Sequence, residues 1–186
     1  MIDSLKISGD KLLYEEGLFN LLNSFGKAQI VGSYDLDLLV KPDIDISIGV
    51  DKFDIDKYFS LCAELAKTFK PSRIKYLDQS IQKLPFPFTK GYYLGLHIPR
   101  DNISWKIDGW IFTKDIFEQR VEYHNMIKKQ INDSNRKIIM TIKKQICDSP
   151  SYVSVELYEA VLFQNVKTIE EFYKWYKKKY LKDFVV

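Results

Sequence analysis

Two aspartates, Asp43 and Asp45, are separated by one residue in a segment, 43–50, where polar and apolar residues alternate. Alternation with a period of two is typical of a half-buried β-strand, which projects both carboxylates from one face and turns Ile44 toward the core. Two carboxylates side by side repel each other unless a cation lies between them. Hard oxygen ligands of this kind suit Mg²⁺. The pair therefore predicts a divalent-cation site.

Residues suited to binding phosphate, and a third acid, occur elsewhere in the chain. Gly32 and Ser33 end a short β-prone segment, where the backbone amides and the hydroxyl can donate to phosphate oxygens. Asp108 is the one acid of the largely apolar stretch 104–112, so we expect it to face a cleft or a cation. Lys106, on the same strand face, is either a phosphate contact or a structural salt-bridge partner of that acid. Arg100 is equally compatible with contacting a triphosphate and with a surface salt bridge.

The elements that must position these residues follow from hydrophobic periodicity and turn residues. Two prolines predict a loop at 84–91; Phe86 and Phe88 within it, with Tyr92 and Tyr93 directly after it, could line a substrate pocket. The predicted strands are 28–31, 43–50, 74–77, 92–98 and 104–112, and the predicted helices are 10–25, 54–69, 115–131, 135–147, 153–163 and 168–180. This order predicts an α+β fold, a small mixed β-sheet flanked by helices. We expect a catalytic domain over 1–133 and a C-terminal helical segment, 134–186, packed on it.

Composition restricts the class of protein. The 186 residues are 46% hydrophobic and 15% aromatic, which is too apolar for a disordered chain. No apolar run approaches the roughly 20 residues that a membrane span requires, and the first ten residues lack a secretory signal. With two cysteines, the chain is expected to be soluble and cytoplasmic, with no membrane partner. A net charge of +3 argues against nucleic acid as a partner.

The motif as a whole resembles the active-site signature of the DNA polymerase β-type nucleotidyltransferase superfamily. Gly32-Ser33 is followed, after nine residues, by Asp43-Ile44-Asp45, and Asp108 stands later between hydrophobic neighbours. The resemblance implies the small mixed sheet of that superfamily and two bound Mg²⁺ ions, with Mn²⁺ as an alternative. The catalytic metal ligands would be Asp43, Asp45 and Asp108, and the last would help to deprotonate an acceptor hydroxyl. The nucleotide-binding residues would be Gly32 and Ser33, joined by Arg100 and Lys106 from the charge argument.

One departure from the minimal branch of that superfamily is Asp37, which stands where many members have a second glycine. With Asp35 it forms a second Asp-x-Asp, which we interpret as lacking a catalytic role because 34–40 is predicted to be a solvent-facing turn. His124 is predicted to be a helix-surface residue, and His97 a strand-end residue satisfied by hydrogen bonds.

The resemblance implies an enzyme that transfers a nucleoside monophosphate from an NTP, most simply ATP, to a hydroxyl of a small-molecule or protein acceptor. Two-metal chemistry of this kind relies on positioning and charge neutralisation. Two alternatives remain open: a non-catalytic nucleotide-, metal- or protein-binding module on the same fold, and a structural α+β protein without a ligand.

Overall fold

The structure, a computed structural model, describes residues 2–81, 90–100 and 102–185. The chain forms two compact units, Met1–His124 and Asn125–Val186. Most of the loop predicted at 84–91, including its Phe and Pro residues, lies outside the described residues.

The first unit is built on a mixed five-stranded sheet in the part of the chain that is described. Its order is β1-β2-β5-β4-β3, and β2 and β5 are parallel whereas the other neighbours are antiparallel. The strands are β1 (Lys27–Val31), β2 (Asp43–Val50), β3 (Arg73–Asp78), β4 (Tyr92–Arg100) and β5 (Ile103–Thr113). The predicted α+β class with a small mixed sheet is therefore confirmed.

Six helical segments begin in the first unit, among the described residues. They are α1 (Ile2–Asp10), a π-helical stretch (Lys11–Glu15), α2 (Leu18–Phe25), α3 (Gly32–Asp35), α4 (Ile55–Phe69) and α5 (Lys114–Gln130), the last of which continues into the second unit. The prediction of one helix over 10–25 is wrong. Gly17 adopts φ +85°, a left-handed conformation that interrupts the helical path; before it Lys11–Glu15 form the π-helical stretch, and α1 ends at Asp10.

The hydrophobic core lies on one face of the sheet. Ile44, Ile46 and Ile48 of β2 are fully buried there, as the alternation of β2 predicts. The cluster also includes Leu12, Leu13, Leu18 and Leu22 from the N-terminal helices, Tyr58, Leu65 and Phe69 from α4, and Leu96, Trp105 and Ile107 from the neighbouring strands. Burial of one sheet face by these helices leaves the acids of β2 on the other face.

The second unit is helical, with α6 (Asp133–Ile146), α7 (Ser154–Phe163) and α8 (Ile169–Tyr180). Thr168 caps α8, because its side chain accepts a hydrogen bond from the Glu171 backbone. Phe172 and Tyr176 of α8 are buried and pack against Phe184, so these aromatic residues form part of a core within the second unit. None of the helices in the described ranges combines the length and apolar character of a membrane span.

Candidate active site

The three predicted acids lie together on the sheet face opposite the core, which we call the acid face. β2 and β5 are paired so that Asp45 is directly opposite Asp108, and Asp43 is opposite Lys106. Partners at the same register project to the same side of a sheet, so all four side chains share this face. Residues of β2 and β5 that are far apart in the sequence are therefore close together on this face.

Lys106 holds two of these acids through its ammonium group. Its Nζ lies 2.5 Å from Asp108 Oδ2 and 3.6 Å from Asp43 Oδ1. Burial lowers the pKa of Lys106, but the hydrogen bond to Asp108 and the charges of Asp43, Asp108 and Asp45 outweigh it and raise the pKa above its usual value. The lysine therefore stays charged, and of its two predicted roles the structure shows the salt bridge.

Tyr93 of β4 occupies the other oxygen of Asp108. Its hydroxyl donates a hydrogen bond of 2.6 Å to Asp108 Oδ1, and its ring lies over Gly95, where a side chain would overlap it. Burial, the bond to Asp108 and the neighbouring carboxylate charges together raise the pKa of Tyr93, so that it remains a neutral donor. Tyr93 was not among the predicted nucleotide or metal contacts, since only the register of β4 against β5 brings it to Asp108.

The Gly32–Ser33 turn lies beside Asp45. Val31, the last residue of β1, is paired with Asp45, so the chain leaves the sheet next to that carboxylate. Gly32 has φ +68°, and a Cβ at this position would overlap the Asp45 carboxylate. Ser33 is buried, and its carbonyl accepts a hydrogen bond from Leu38. Glycine is therefore required here both by the backbone conformation and by the close approach of the acid.

The segment after the turn is packed inward, contrary to the prediction of a solvent-facing turn at 34–40. Tyr34 is 1% exposed, and its hydroxyl donates to Asp10 Oδ1 at 2.7 Å. Asp35 lies 2.7 Å from Nε2 of His124, which is itself buried, so the prediction of a surface histidine is also wrong. Apolar residues that follow at 36, 38 and 39 are buried and explain the inward packing. Asp37, by contrast, is exposed.

Arg100 is not brought to the acid face. It is paired with Ile103, an odd number of residues from Asp108, and therefore projects toward the core side of the sheet. There its Nε donates to Glu16 Oε2 at 2.8 Å, and a second nitrogen donates to the carbonyl of Phe69 at 3.1 Å. The structure thus shows the salt-bridge alternative for this residue.

Basic and aromatic side chains continue the acid face across β5, β4 and β3. The register places Arg73 and Lys75 of β3 on this face with His97 of β4. Tyr93 and Trp110 lie beside each other with ring centroids 5.0 Å apart, and Lys75 Nζ is 5.8 Å from the Tyr93 ring. The acids therefore adjoin a surface with positive charge and stacking groups.

Helix α5 covers the other end of the same face. Phe117 packs where a side chain on Gly49 would clash, and the Arg120 guanidinium lies 4.9 Å from the centre of the Phe112 ring. Burial lowers the pKa of Arg120, and the negative charge of Asp45 opposes that shift. Arg120 therefore contributes to the electrostatic environment of the acids. Nothing in the sequence indicated this role, because Arg120 lies in a helix far along the chain from Asp45.

The acids match a divalent cation in the type of their donors. Three carboxylates on adjacent strands are the oxygen ligands that Mg²⁺ takes, and the rest of its coordination is filled by water and phosphate. Among the described residues, however, no three His, Cys, Asp or Glu side chains are grouped closely enough to form a metal site as they stand. Asp43 and Asp108 are instead bridged by Lys106.

No protein-family model matches the chain, and no curated protein sequence matches it either. Solved structures do share its fold. Cid1 poly(U) polymerase, in a form with Mg and 3′-dATP bound, is 15% identical with a TM-score of 0.51, over 76% of this chain and 41% of that one. A cytoplasmic RNA terminal U-transferase is 17% identical with a TM-score of 0.55, over 86% and 48%. The non-canonical poly(A) polymerase GLD-2, in complex with GLD-3, is 12% identical with a TM-score of 0.59, over 98% and 59%.

These similarities establish the fold. The expected likeness to DNA polymerase β-type nucleotidyltransferases is confirmed at that level. The chain spans between 41% and 59% of the length of these three proteins. Their names describe enzymes of RNA, so the comparison gives no support to the expectation that nucleic acid is excluded as a partner.

Proposed function

We propose that this chain, which has the fold of the DNA polymerase β-type nucleotidyltransferases, transfers a nucleoside monophosphate from an NTP to a hydroxyl group. The observation that carries the proposal is the register of β2 against β5, which sets Asp45 opposite Asp108, with Asp43 two positions earlier on the same face of β2. The Gly32–Ser33 turn beside Asp45 supports it, since that turn follows β1 directly. ATP is the first nucleotide to test.

The residues of the chain would act mainly by position and charge. Gly32 and Ser33 would contact the β- and γ-phosphates, and Asp43, Asp45 and Asp108 would hold Mg²⁺ or Mn²⁺. The bound ions would supply charge neutralisation at the α-phosphate and at the departing pyrophosphate. Asp108 would accept the proton of the attacking hydroxyl, whose oxygen forms the new bond to phosphorus while pyrophosphate leaves. Tyr93 would keep the Asp108 carboxyl oriented through its hydrogen bond.

The direct test is transfer of label from an α-labelled NTP, assayed with Mg²⁺, with Mn²⁺ and with chelator. We expect Asp45→Asn to abolish transfer and to leave stability unchanged or slightly higher, because one repelling carboxylate becomes neutral. Asp37→Asn is the matched control, since it changes an exposed acid of the second Asp-x-Asp, and asparagine tolerates the φ of +53° found there. An Asp45→Asn variant that retains most of the activity would contradict the proposal.

Two acceptor classes are open to the same assay. A small molecule or a protein is the acceptor expected from the low net charge. An RNA 3′ hydroxyl is a second candidate, favoured by the row of Arg73, Lys75 and His97 beside the acids. Single-stranded RNA oligomers, with and without a blocked 3′ end, and a panel of polyhydroxylated small molecules would separate the two. Labelled product with unblocked RNA alone would assign the acceptor to RNA.

A binding module without turnover is the alternative to an enzyme. It predicts stabilisation of the chain by an NTP with Mg²⁺ but no labelled product with any acceptor. A nucleotide at one hundred times its Kd stabilises the folded state by about 2.7 kcal/mol, which thermal unfolding detects readily. Metal-dependent stabilisation that Asp45→Asn removes would locate the nucleotide at the acid face, whereas a stabilisation that survives in this variant would locate it elsewhere.

A further inference from the structure

Lys106 places a positive charge among the acids proposed as metal ligands. Its ammonium nitrogen is 2.5 Å from Asp108 Oδ2 and 3.6 Å from Asp43 Oδ1. The register of β5 against β2 places Lys106 directly opposite Asp43 and two residues before Asp108 on the same sheet face, within reach of both carboxylates. Two of the three carboxylates therefore already share a cation that belongs to the chain.

Both oxygens of Asp108 have a donor in this arrangement. Tyr93 donates to Oδ1 and Lys106 to Oδ2, and the Asp108 side chain is only 16% exposed. A divalent ion that approached Asp108 and Asp43 would meet the ammonium within a few ångströms, where like charges repel strongly at the low dielectric of a half-buried site. Metal and ammonium cannot both lie between these carboxylates.

Lys106 can move away from the carboxylates when a metal ion binds, whereas Tyr93 can keep its hydrogen bond to Asp108. The lysine side chain is 43% exposed and carries its charge on a flexible four-carbon stem, so the ammonium can rotate into water at little steric cost. Tyr93 is a neutral donor to the oxygen that Lys106 does not use. Its hydrogen bond would be retained while the lysine is exchanged for a metal ion.

We infer that Lys106 is a resident cation that a divalent ion must displace from Asp43 and Asp108, so that lysine and metal exclude each other at this site. The inference rests on the proposed function only in taking these acids as the metal ligands. It deepens that proposal by giving the site a low affinity for metal alone. A polyphosphate brings further oxygen ligands and negative charge, which favour the incoming ion over the ammonium that is released into water.

The first test is Mn²⁺ binding without nucleotide, followed by electron paramagnetic resonance at fixed pH and ionic strength. We expect Lys106→Met to bind Mn²⁺ at least about tenfold more tightly than the wild type, because the metal no longer has to break the ion pairs of Lys106 with Asp43 and Asp108, whose loss is worth that factor or more. Lys106→Arg keeps the charge and should bind Mn²⁺ as weakly as the wild type. Asp45→Asn in the Lys106→Met background should remove the gain, which locates the ion at the acid face. Equal affinity of wild type and Lys106→Met would overturn the inference.

The second test uses the unaltered chain, so that it does not depend on the folding of a variant. Acylation of lysines by an amine-reactive reagent is followed residue by residue with mass spectrometry, with and without Mg²⁺ plus an NTP. We expect the rate at Lys106 to rise severalfold when metal and nucleotide are present with pH constant, because the ammonium loses its carboxylate partners. Lys75, exposed on the same face, is the internal control and should not rise with it. A rate at Lys106 that stays constant or falls would contradict displacement.

The two proposals fail in different ways. If Mn²⁺ binds wild type and Lys106→Met equally and Asp45→Asn weakens both, the exchange is refuted while the metal site and the transfer reaction stand. If neither form binds Mn²⁺, the exchange is also refuted, and the α-label assay then decides the proposed function on its own. A tenfold gain in Lys106→Met together with no labelled product would support the exchange on a site that does not turn over.

Discussion

Gly32 is the residue whose replacement most directly tests the geometry of the site. Gly32→Ala introduces a Cβ that overlaps the Asp45 carboxylate, and it also forces alanine into φ +68°. We expect a loss of stability greater than the 1–2 kcal/mol, roughly, of the left-handed backbone alone. If Asp45 is a metal ligand as proposed, transfer activity should fall about a hundredfold, because displacement of a reacting or ligating group by about 1 Å has that effect.

Gly17→Ala is the matched control for this substitution. Gly17 also has a positive φ, +85°, but a Cβ there meets nothing within 4 Å. Urea unfolding should show about 1–2 kcal/mol of destabilisation from the backbone, with transfer activity unchanged. Equal effects of the two alanines on activity would show that the approach of Gly32 to Asp45 has no functional consequence.

Glu156 in α7 provides a prediction for the dependence of stability on pH. Burial raises the pKa of this carboxyl, and the hydroxyl of Tyr180 and the charges of Lys179 and Lys182 oppose the rise. A group whose pKa is higher in the folded state stabilises the fold below its unfolded pKa and loses that contribution as pH rises through the folded value. Glu156→Gln has no proton to lose, so its melting temperature relative to wild type should be higher at pH 7 than at pH 4. A difference that does not change between these two pH values would contradict the assignment.

At the scale of the elements, the contact between Asp35 and His124 joins α3, which follows the Gly32–Ser33 turn, to α5. Removing one member leaves the other partly buried without this partner. We therefore expect His124→Leu to lower stability by about 1.5–3 kcal/mol, the range for hydrogen bonds to charged groups. Urea unfolding of both single variants and the double variant with Asp35→Asn should give a coupling energy above about 0.5 kcal/mol.

The other histidine in the sequence serves as the control. His97→Leu changes the same residue type on a strand of the acid face, where the structure gives no contact to Asp35. It should show no coupling to Asp35→Asn within about 0.3–0.5 kcal/mol, the scatter between independent sites. Additive effects of His124→Leu and Asp35→Asn would show that their contact contributes nothing to stability.

An element could be predicted from the sequence where its pattern depends only on residues close together in the chain. The alternation in 43–50 depends only on neighbouring residues, and β2 begins and ends where it predicts. Arg100 could not be placed in this way, because its face depends on the register of β4 against β5, and a shift of one residue reverses it. His124 is similar, since its burial arises from contact with Asp35, 89 residues away. Asp43 and Asp45 were predictable as a pair because strand alternation acts within a short segment, whereas Asp108 lies far along the chain and was joined to them only by the family resemblance.

At the scale of the whole molecule, net charge conceals the distribution of charge. The total of +3 includes a row of basic residues, Arg73, Lys75 and Lys106, along one sheet face. The expectation that nucleic acid is not a partner relied on the net charge of the whole chain, whereas counterion release depends on the local density of positive charge. An expectation drawn from composition alone therefore could not exclude a polyanionic partner.

This distribution predicts how RNA binding should depend on salt. The variant with Arg73→Gln and Lys75→Gln should bind a single-stranded RNA oligomer more weakly, and the slope of log affinity against log salt should become shallower by about 1.4 for two lost phosphate contacts. The variant with Lys174→Gln and Lys178→Gln changes the net charge equally in α8, and it should retain the wild-type slope. Fluorescence anisotropy at several salt concentrations would measure both. Equal losses in the two variants would show that only total charge matters.

The parallel pairing of β2 with β5 has a consequence for the order of folding. Between Val50 and Ile103 the chain forms α4, β3 and β4 before it returns to lie beside β2. Asp45 and Asp108 therefore meet only after the longest loop closure in the sheet, and non-local pairings of this kind form slowly. A chain emerging from the ribosome would carry Asp43 and Asp45 for some time without their partner strand. The acid face would thus be completed only when β5 pairs with β2, and any ligand that binds the completed face would favour chains in which this pairing has formed.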